Sequence, residues 1–148
     1  MKFSRSTLVG ALAVGLFALL FAPVLKYTVW TWYFSVRERA SRREFDSAAW
    51  KSFIPQHGVS RTNYWAYLLP SRLRMVDDLV DHHELHGRTR SEIVNLLGEK
   101  DRTAYFSEWD LVYWLGPGRY GNAIGDSEWF VVRFGHDKRV SEYRVVHD

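Results

Sequence analysis

The sequence "LHGRTRSEIVNLLGEKD", residues 85–101, decides the fold because it carries both the start and the stop signal of one short helix. Thr89 and Glu92 have the spacing of a capping box, in which each side chain binds a backbone N–H group of the first turn. Gly98 stands where a left-handed residue commonly ends a helix, and Gly87 interrupts the chain before it. The apolar face between these signals consists of Ile93, Val94, Leu96 and Leu97. We therefore predict a capped helix, whereas a phosphate-binding loop would need a different glycine spacing and a Lys-Ser/Thr pair.

The sequence on either side of this helix predicts a small α+β domain. Residues 71–83 have apolar side chains at helical spacing, with Ser71 as the expected N-cap. Three strand-like runs follow, at residues 109–115, 127–134 and 139–146. The turn at residues 135–138 is typical of a hairpin. Two helices followed by hairpin-connected strands predict two helices packed on a three-stranded antiparallel sheet, in two layers.

The middle strand shows which face of the sheet should be buried. Side chains alternate between the two faces of a strand. Phe130, Val132 and Phe134 fall on one face and make it wholly apolar, whereas Arg133 lies on the other. We expect the wholly apolar face to form the core.

The N-terminal segment is predicted to be a membrane anchor. Residues 6–25 carry no charge and are dominated by Leu, Ala, Val and Phe. At about 1.5 Å per residue, such a helix spans a bilayer core of about 30 Å. The aromatic residues that follow at once, typical of the membrane interface, are Tyr27, Trp30, Trp32 and Tyr33. We predict a single-pass anchor over residues 1–26; a cleaved signal peptide with Lys2 and Arg5 in its basic region is the alternative.

The segment between anchor and domain, residues 27–70, is predicted to hold the aromatic belt, a stalk and a linker. Residues 36–53 are rich in charge and contain neither Gly nor Pro. Glu38 and Arg42 are spaced for an ion pair on a helix, as are Arg42 and Asp46. The anchor helix should therefore continue as a stalk and end before Pro55. The domain itself is expected to occupy residues 71–148.

Charge and cysteine content exclude several classes of function. The chain has no cysteine, which excludes disulfides, thiolate metal sites and a cysteine nucleophile. The net charge is +3, but residues 63–148 hold 11 basic and 14 acidic residues. A domain that binds nucleic acid is usually basic, so nucleic acid is not an expected partner.

These motifs resemble the SmpA/OmlA (BamE-like) family of small bacterial envelope proteins. The residues that carry the resemblance are Gly87, Thr89, Arg90, Glu92, Ile93, Leu96, Leu97 and Gly98, with Phe134, Asp137, Arg139 and Val140. The resemblance implies an α+β domain, an envelope location and a non-catalytic scaffold or accessory role in a membrane or outer-membrane assembly complex. Family members are typically lipoproteins with a lipid-bearing cysteine, and here an anchor helix stands in its place. Lys100 occupies a position where the family often has proline.

The histidine-rich stretch "DDLVDHHELHG" is the strongest indication of an enzyme. Asp78 and His82 share a helix face, and His83 and His86 follow, so a zinc-dependent hydrolase is one hypothesis. The spacing does not match the H-E-x-x-H zinc motif, and the helix ends at Gly87. Polar residues at a helix C-terminus are the competing interpretation, because histidine suits the helix dipole there.

The aromatic residues of the predicted sheet suggest a binding surface. They are Tyr113, Trp114, Tyr120 and Trp129, which could instead pack in the core or across strands. We predict a membrane-anchored interaction module without catalytic residues, metal or cofactor, docked on an unidentified envelope complex. A small-ligand or lipid-binding domain is the alternative. A count of flanking positive charges slightly favours a cytoplasmic domain, whereas the family resemblance leads us to expect an extracytoplasmic one.

Overall fold

The computed structural model describes residues 5–53, 70–119 and 126–148, with side chains from residue 21 onward. Contacts within the chain divide it into two compact units, Met1–Arg37 and Glu38–Asp148. The second unit contains the helices and strands of the domain and begins well before residue 71.

Helix α1 spans Arg5–Ser41 and contains Pro23. Within the first unit, large apolar side chains lie exposed along the described part of this helix. They include Phe21, Val24, Leu25, Val29 and Val36. In the described part of the chain, no helix is both long enough and apolar enough to cross a membrane. Most of the predicted anchor, residues 6–25, lies outside the residues whose side chains are described, so the anchor stays a prediction.

The predicted continuous stalk is interrupted. Helix α1 ends at Ser41, and a separate short helix α2 spans Ser47–Lys51. Asp46 begins α2 as its N-cap, since its carboxylate accepts a hydrogen bond from the backbone N–H of Ala49 at 2.6 Å. Trp50 of α2 is fully buried. The predicted Glu38–Arg42 pair is present at 3.1 Å, but Arg42 pairs with Asp77 and Asp46 caps α2 instead of pairing with Arg42. The burial of Trp50 and the cap of the new helix favour the break.

Helices α3, Ser71–His82, and α4, Arg90–Leu97, match the predicted pair. The capping box at Thr89 and Glu92 is present, and Gly98 ends α4 with φ 83°. The N-cap of α3 differs from expectation: Pro70 occupies it and makes no side-chain capping bond. Its φ of −61° and ψ of 160° lie in the extended region that an N-cap residue typically adopts.

The three strands form an antiparallel sheet in the order β1-β2-β3. Strand β1 spans Leu111–Pro117, β2 spans Ser127–Phe134 and β3 spans Val140–His147. A bulge shifts the register of each pair, between Trp114 and Gly116 and between Arg133 and Phe134. The α+β class, the antiparallel sheet and the hairpin after β2 are confirmed.

The main core lies between the helices and one face of the sheet, called here the helix-side face. The predicted residues Phe130, Val132 and Phe134 all belong to it. Its fully buried members from the helices and strands include Trp50, Leu73, Met75, Leu79, Ile93, Leu97, Leu111, Tyr113 and Leu115. Full burial of one such side chain contributes about 1.5–3 kcal/mol.

Candidate functional site

The opposite face of the sheet carries a second apolar cluster, called here the outer-face cluster. Its buried members are Trp109, Val112, Trp129 and Val131, and Phe106, Trp114 and Val146 pack against them. Alternation along the strands explains the cluster, because residues next to core positions point to the other face. The connection before β1 covers part of the cluster.

Exposed aromatic and basic groups border this cluster. Tyr105 is 56% exposed, and its ring centroid lies 5.4 Å from that of Trp129. The guanidinium groups of Arg133 and Arg144 lie 4.2 and 5.0 Å from the centroid of the Trp109 ring. Glu142 forms ion pairs with both arginines, at 3.4 and 3.6 Å. Tyrosine and arginine, the types exposed on this face, are enriched at binding hot spots of proteins.

The structure places three of the four aromatic residues predicted to form a surface, and it puts them on two different faces of the sheet. Tyr113 is fully buried on the helix-side face, and its hydroxyl donates a 2.8 Å hydrogen bond to the carbonyl of Gly98. Burial raises the pKa of this tyrosine. Trp114 and Trp129 belong to the outer-face cluster, and Trp114 stacks on Phe53 with ring centroids 5.9 Å apart. Tyr120 lies outside the described residues. Tyr113 is therefore a core residue, because strand alternation sends it to the face opposite Trp114.

The predicted interfacial aromatics lie on α1. They are all exposed, and they are Tyr27, Trp30, Trp32 and Tyr33. The hydroxyl of Tyr33 accepts a 3.1 Å hydrogen bond from Nη1 of Arg37. Nearby threonine and serine hydroxyls bond back to helix carbonyls, as Thr28 does to Val24. This part of the helix thus presents apolar and aromatic surface with its small polar groups satisfied internally.

The histidine stretch does not converge on one point. Nδ1 of His82 lies 2.8 Å from Oδ1 of Asp78, and Nε2 of His83 lies 3.6 Å from the other oxygen. His86 instead stacks on Tyr143 of β3, with ring centroids 4.9 Å apart. Among the described residues, no group of three or more His, Asp or Glu side chains is arranged to hold a metal ion.

Asp78 has a structural role in this region. Its Oδ2 atom accepts a 2.7 Å hydrogen bond from the backbone N–H of Phe45, in the segment between α1 and α2. This bond, more than the neighbouring histidines, lowers the pKa of Asp78. The Phe45 ring also contacts His83, with centroids 5.1 Å apart. The carboxylate therefore fastens the segment before α2 to helix α3.

A buried ion network is the feature that sequence reasoning missed. Glu128 of β2 is fully buried, and its Oε2 atom accepts a 2.8 Å hydrogen bond from Nε of Arg119. Nη1 of the same arginine donates to both oxygens of Asp77, at 2.8 and 2.9 Å. Glu38 lies 3.6 Å from Arg119, and Arg42 bonds to both Glu38 and Asp77.

This network joins the last turn of α1 to helix α3, the loop after β1 and strand β2. Burial alone would lower the pKa of Arg119, but the carboxylates of Asp77 and Glu128 raise it above the ordinary value. The arginine therefore stays charged. The pattern of β2 carries the signal for it: Glu128 alternates with Phe130 and Val132, which places a carboxylate on the core face.

A second buried arginine closes one edge of the sheet. Arg72 of α3 is 3% exposed and donates to Oδ2 of Asp101 at 2.8 Å. Its guanidinium lies 5.2–5.5 Å from the ring centroids of Trp50, Phe53 and Tyr113. Burial lowers the pKa of Arg72, opposed by Asp101. This group is enclosed by aromatic rings and a carboxylate, an arrangement that stabilises the fold.

The remaining carboxylates near the first hairpin do not form a group either. Asp110 accepts a 2.9 Å hydrogen bond from the backbone N–H of Phe134, and Asp148 accepts one from that of Ser127 at 2.6 Å. Glu128 is paired with Arg119. These three carboxylates therefore support local structure.

Comparisons with known proteins identify no relative. No family model matches the chain, and neither a curated protein nor a solved structure matches it.

Proposed function

We propose that the protein is a membrane-anchored, non-catalytic envelope protein that acts as an interaction module for a membrane or outer-membrane assembly complex. This proposal keeps the resemblance to the SmpA/OmlA (BamE-like) family as an interpretation of its motifs. The observation that carries it is the outer-face cluster, where a tyrosine and two arginines border buried tryptophans on the face opposite the helices.

The chemistry of this face fits protein recognition. A typical interface has an aromatic centre, depleted of charge, and a polar rim that includes arginine. Trp109 and Trp129 are buried beneath this face, and Tyr105, Arg133 and Arg144 are the exposed groups above them that a partner would contact. Both arginines lie near the Trp109 ring and share Glu142 as an exposed ion-pair partner, so a partner's carboxylate would compete with Glu142 for them.

The anchor part of the proposal rests on the sequence and on the described part of α1. Residues 6–25 carry no charge, and exposed apolar and aromatic side chains continue along α1. A helix that is apolar on all sides is stable where it is surrounded by apolar material, such as lipid. The proposed location is the cell membrane, with a single pass and an extracytoplasmic domain.

Membrane fractionation with mild cross-linking tests both parts. An anchored protein stays with the membrane pellet after an alkaline carbonate wash, and a scaffold carries the same partner protein through detergent solubilisation. Arg144→Glu, which reverses a charge on the outer face, should reduce recovery of the partner without releasing the protein from the membrane. Release by carbonate would contradict the anchor, and recovery of the protein alone would contradict the scaffold.

A further inference from the structure

The outer edge of strand β1 is already occupied. The backbone N–H of Asp101 donates to the carbonyl of Val112 at 2.9 Å, and its Oδ2 atom accepts from the N–H of Trp114 at 2.7 Å. Nη1 of Arg72 lies 3.5 Å from the Trp114 carbonyl. These bonds use the carbonyl groups of Val112 and Trp114 and the N–H group of Trp114, so a further strand cannot form a regular ladder with β1 there.

The same bonds fix which backbone groups of β3 face the open edge. In an antiparallel ladder, successive residues direct their N–H and C=O groups to opposite sides. Val112 and Trp114 face away from β2, so their neighbours pair with β2. Following the register across the sheet, Arg144 and Val146 face β2. Tyr143, Val145 and His147 therefore direct their backbone groups outward.

The open stretch of β3 is bounded at both ends. Val140 is already paired on that side, because Gly87 N–H donates to its carbonyl at 3.0 Å and its own N–H donates to Arg88 at 2.8 Å. At the other end, the N–H of Asp148 turns inward to Ser127 at 3.3 Å. Across the described part of the chain, no backbone group pairs with residues 143–147 from outside. The open stretch is therefore centred on Val145.

We propose that a second copy of this chain pairs with β3 antiparallel about Val145, which joins the two sheets into one of six strands. With a two-fold axis at Val145, all three outward residues form hydrogen bonds between the strands. Val145 lies opposite Val145 of the copy, and Tyr143 lies opposite His147 of the copy. A shift of the centre to Tyr143 would drive the partner strand into the Gly87–Arg88 turn. Closed two-fold symmetry also leaves no free edge for further addition.

Side chains along the pair complement each other. On the helix-side face, Val145 meets Val145, and the Tyr143 ring meets the His147 ring; aromatic and β-branched cross-strand pairs stabilise sheets. On the outer face, Arg144 lies opposite Val146 of the copy, with Arg144 and Asp148 of the copy as its two diagonal neighbours. Its guanidinium group keeps its contacts with Trp109 and Glu142 of its own chain. The pairing rests on the outward backbone groups of β3 and not on the outer-face cluster, so it does not depend on the proposed function.

Cysteine cross-linking tests the pairing directly, because the chain has no cysteine of its own. The probe is the full-length protein in detergent, oxidised with copper phenanthroline. Opposed residues of a hydrogen-bonded pair have Cα atoms about 5.5 Å apart, which suits a disulfide. Val145→Cys should form disulfide dimers about tenfold or more faster than Ser141→Cys, an exposed position of β3 outside the open stretch, because pairing raises the local thiol concentration.

Mixing two single-cysteine variants tests the register and controls for a variant that does not fold. Tyr143→Cys and His147→Cys should each cross-link slowly alone and rapidly when mixed, since these residues face each other across the axis. Val145→Pro removes an outward N–H and should abolish dimers without unpairing β2. Equal rates for Val145→Cys and Ser141→Cys, or no gain on mixing, would overturn the proposal.

Discussion

Glu128 shows that a buried carboxylate depends on its surroundings for stability. A carboxylate with no exposed surface is unfavourable unless a charge and hydrogen bonds compensate for its lost hydration. Arg119 compensates it twice, through its side chain at 2.8 Å and through its backbone N–H at 2.6 Å. The alternation of β2 places Glu128 on the core face, so the burial of Glu128 could be predicted from the sequence. The partner could not be predicted, because Arg119 lies in an irregular loop.

Removal of that arginine should therefore be severe. Arg119→Met leaves Glu128 and Asp77 without their shared cation, and loss of one partner from a buried pair costs about 3–5 kcal/mol. The free energy of unfolding, measured with urea and tryptophan fluorescence in detergent, should fall by that amount. Arg102→Met, at an exposed arginine, is the control and should change it by less than about 0.5 kcal/mol. An equal, small effect of both substitutions would show that the network contributes little.

Asp78 should make the stability of the fold depend on pH. Its pKa in the folded protein lies below the ordinary 3.8, chiefly because of the Phe45 N–H. A carboxylate with a lowered folded pKa stabilises the fold above its unfolded pKa, and that stabilisation is lost as the pH falls through the folded pKa. Asp78→Asn should therefore lower the melting temperature at pH 7 and have a progressively smaller effect below about pH 4. A difference in melting temperature that stays constant down to pH 2.5 would exclude this ionisation effect.

At the scale of elements, some helices are determined by local sequence signals and others by tertiary contacts. Helix α4 follows its sequence because the capping box and Gly98 act within the helix itself. The continuous stalk fails because its interruption depends on distant partners: Phe45 binds Asp78, and Trp50 packs against Tyr113 and Phe130. Spacing that suits a helix cannot reveal that a tryptophan has a site in a core formed by strands far along the chain.

The cap of α4 can be tested by itself. Thr89→Ala removes the acceptor for the Glu92 N–H and the hydroxyl that bonds the Glu92 carboxylate, and loss of such a cap costs about 1 kcal/mol. Thermal unfolding followed by circular dichroism should show the loss. Ser91→Ala is the control, at an exposed position two residues further along in the first turn of α4. It should be neutral or slightly stabilising because alanine favours helix. The cap would be unimportant if both variants melted at the wild-type temperature.

At the scale of the whole molecule, the two faces of the sheet have different roles. Its helix-side face holds the domain together, and its outer face exposes Tyr105 and two arginines above buried tryptophans. The class and order of strands followed from alternation and turns. Alternation places Tyr113 and Trp114 on opposite faces, but only the pairing of Tyr113 with Phe130 shows which of the two is in the core. The closure of the β1 edge could not be predicted, because it depends on Asp101, which lies outside any predicted strand.

Site-specific photo-cross-linking in native membranes tests the central claim, that the outer face docks on another protein. Tyr105 would be replaced by a photoreactive phenylalanine, and Ser91, exposed on α4, would carry the same group as the control. The account predicts one reproducible partner adduct at Tyr105, absent at Ser91 and lost with Arg144→Glu in a folded protein. Matching adducts at both positions, or none at Tyr105, would contradict it.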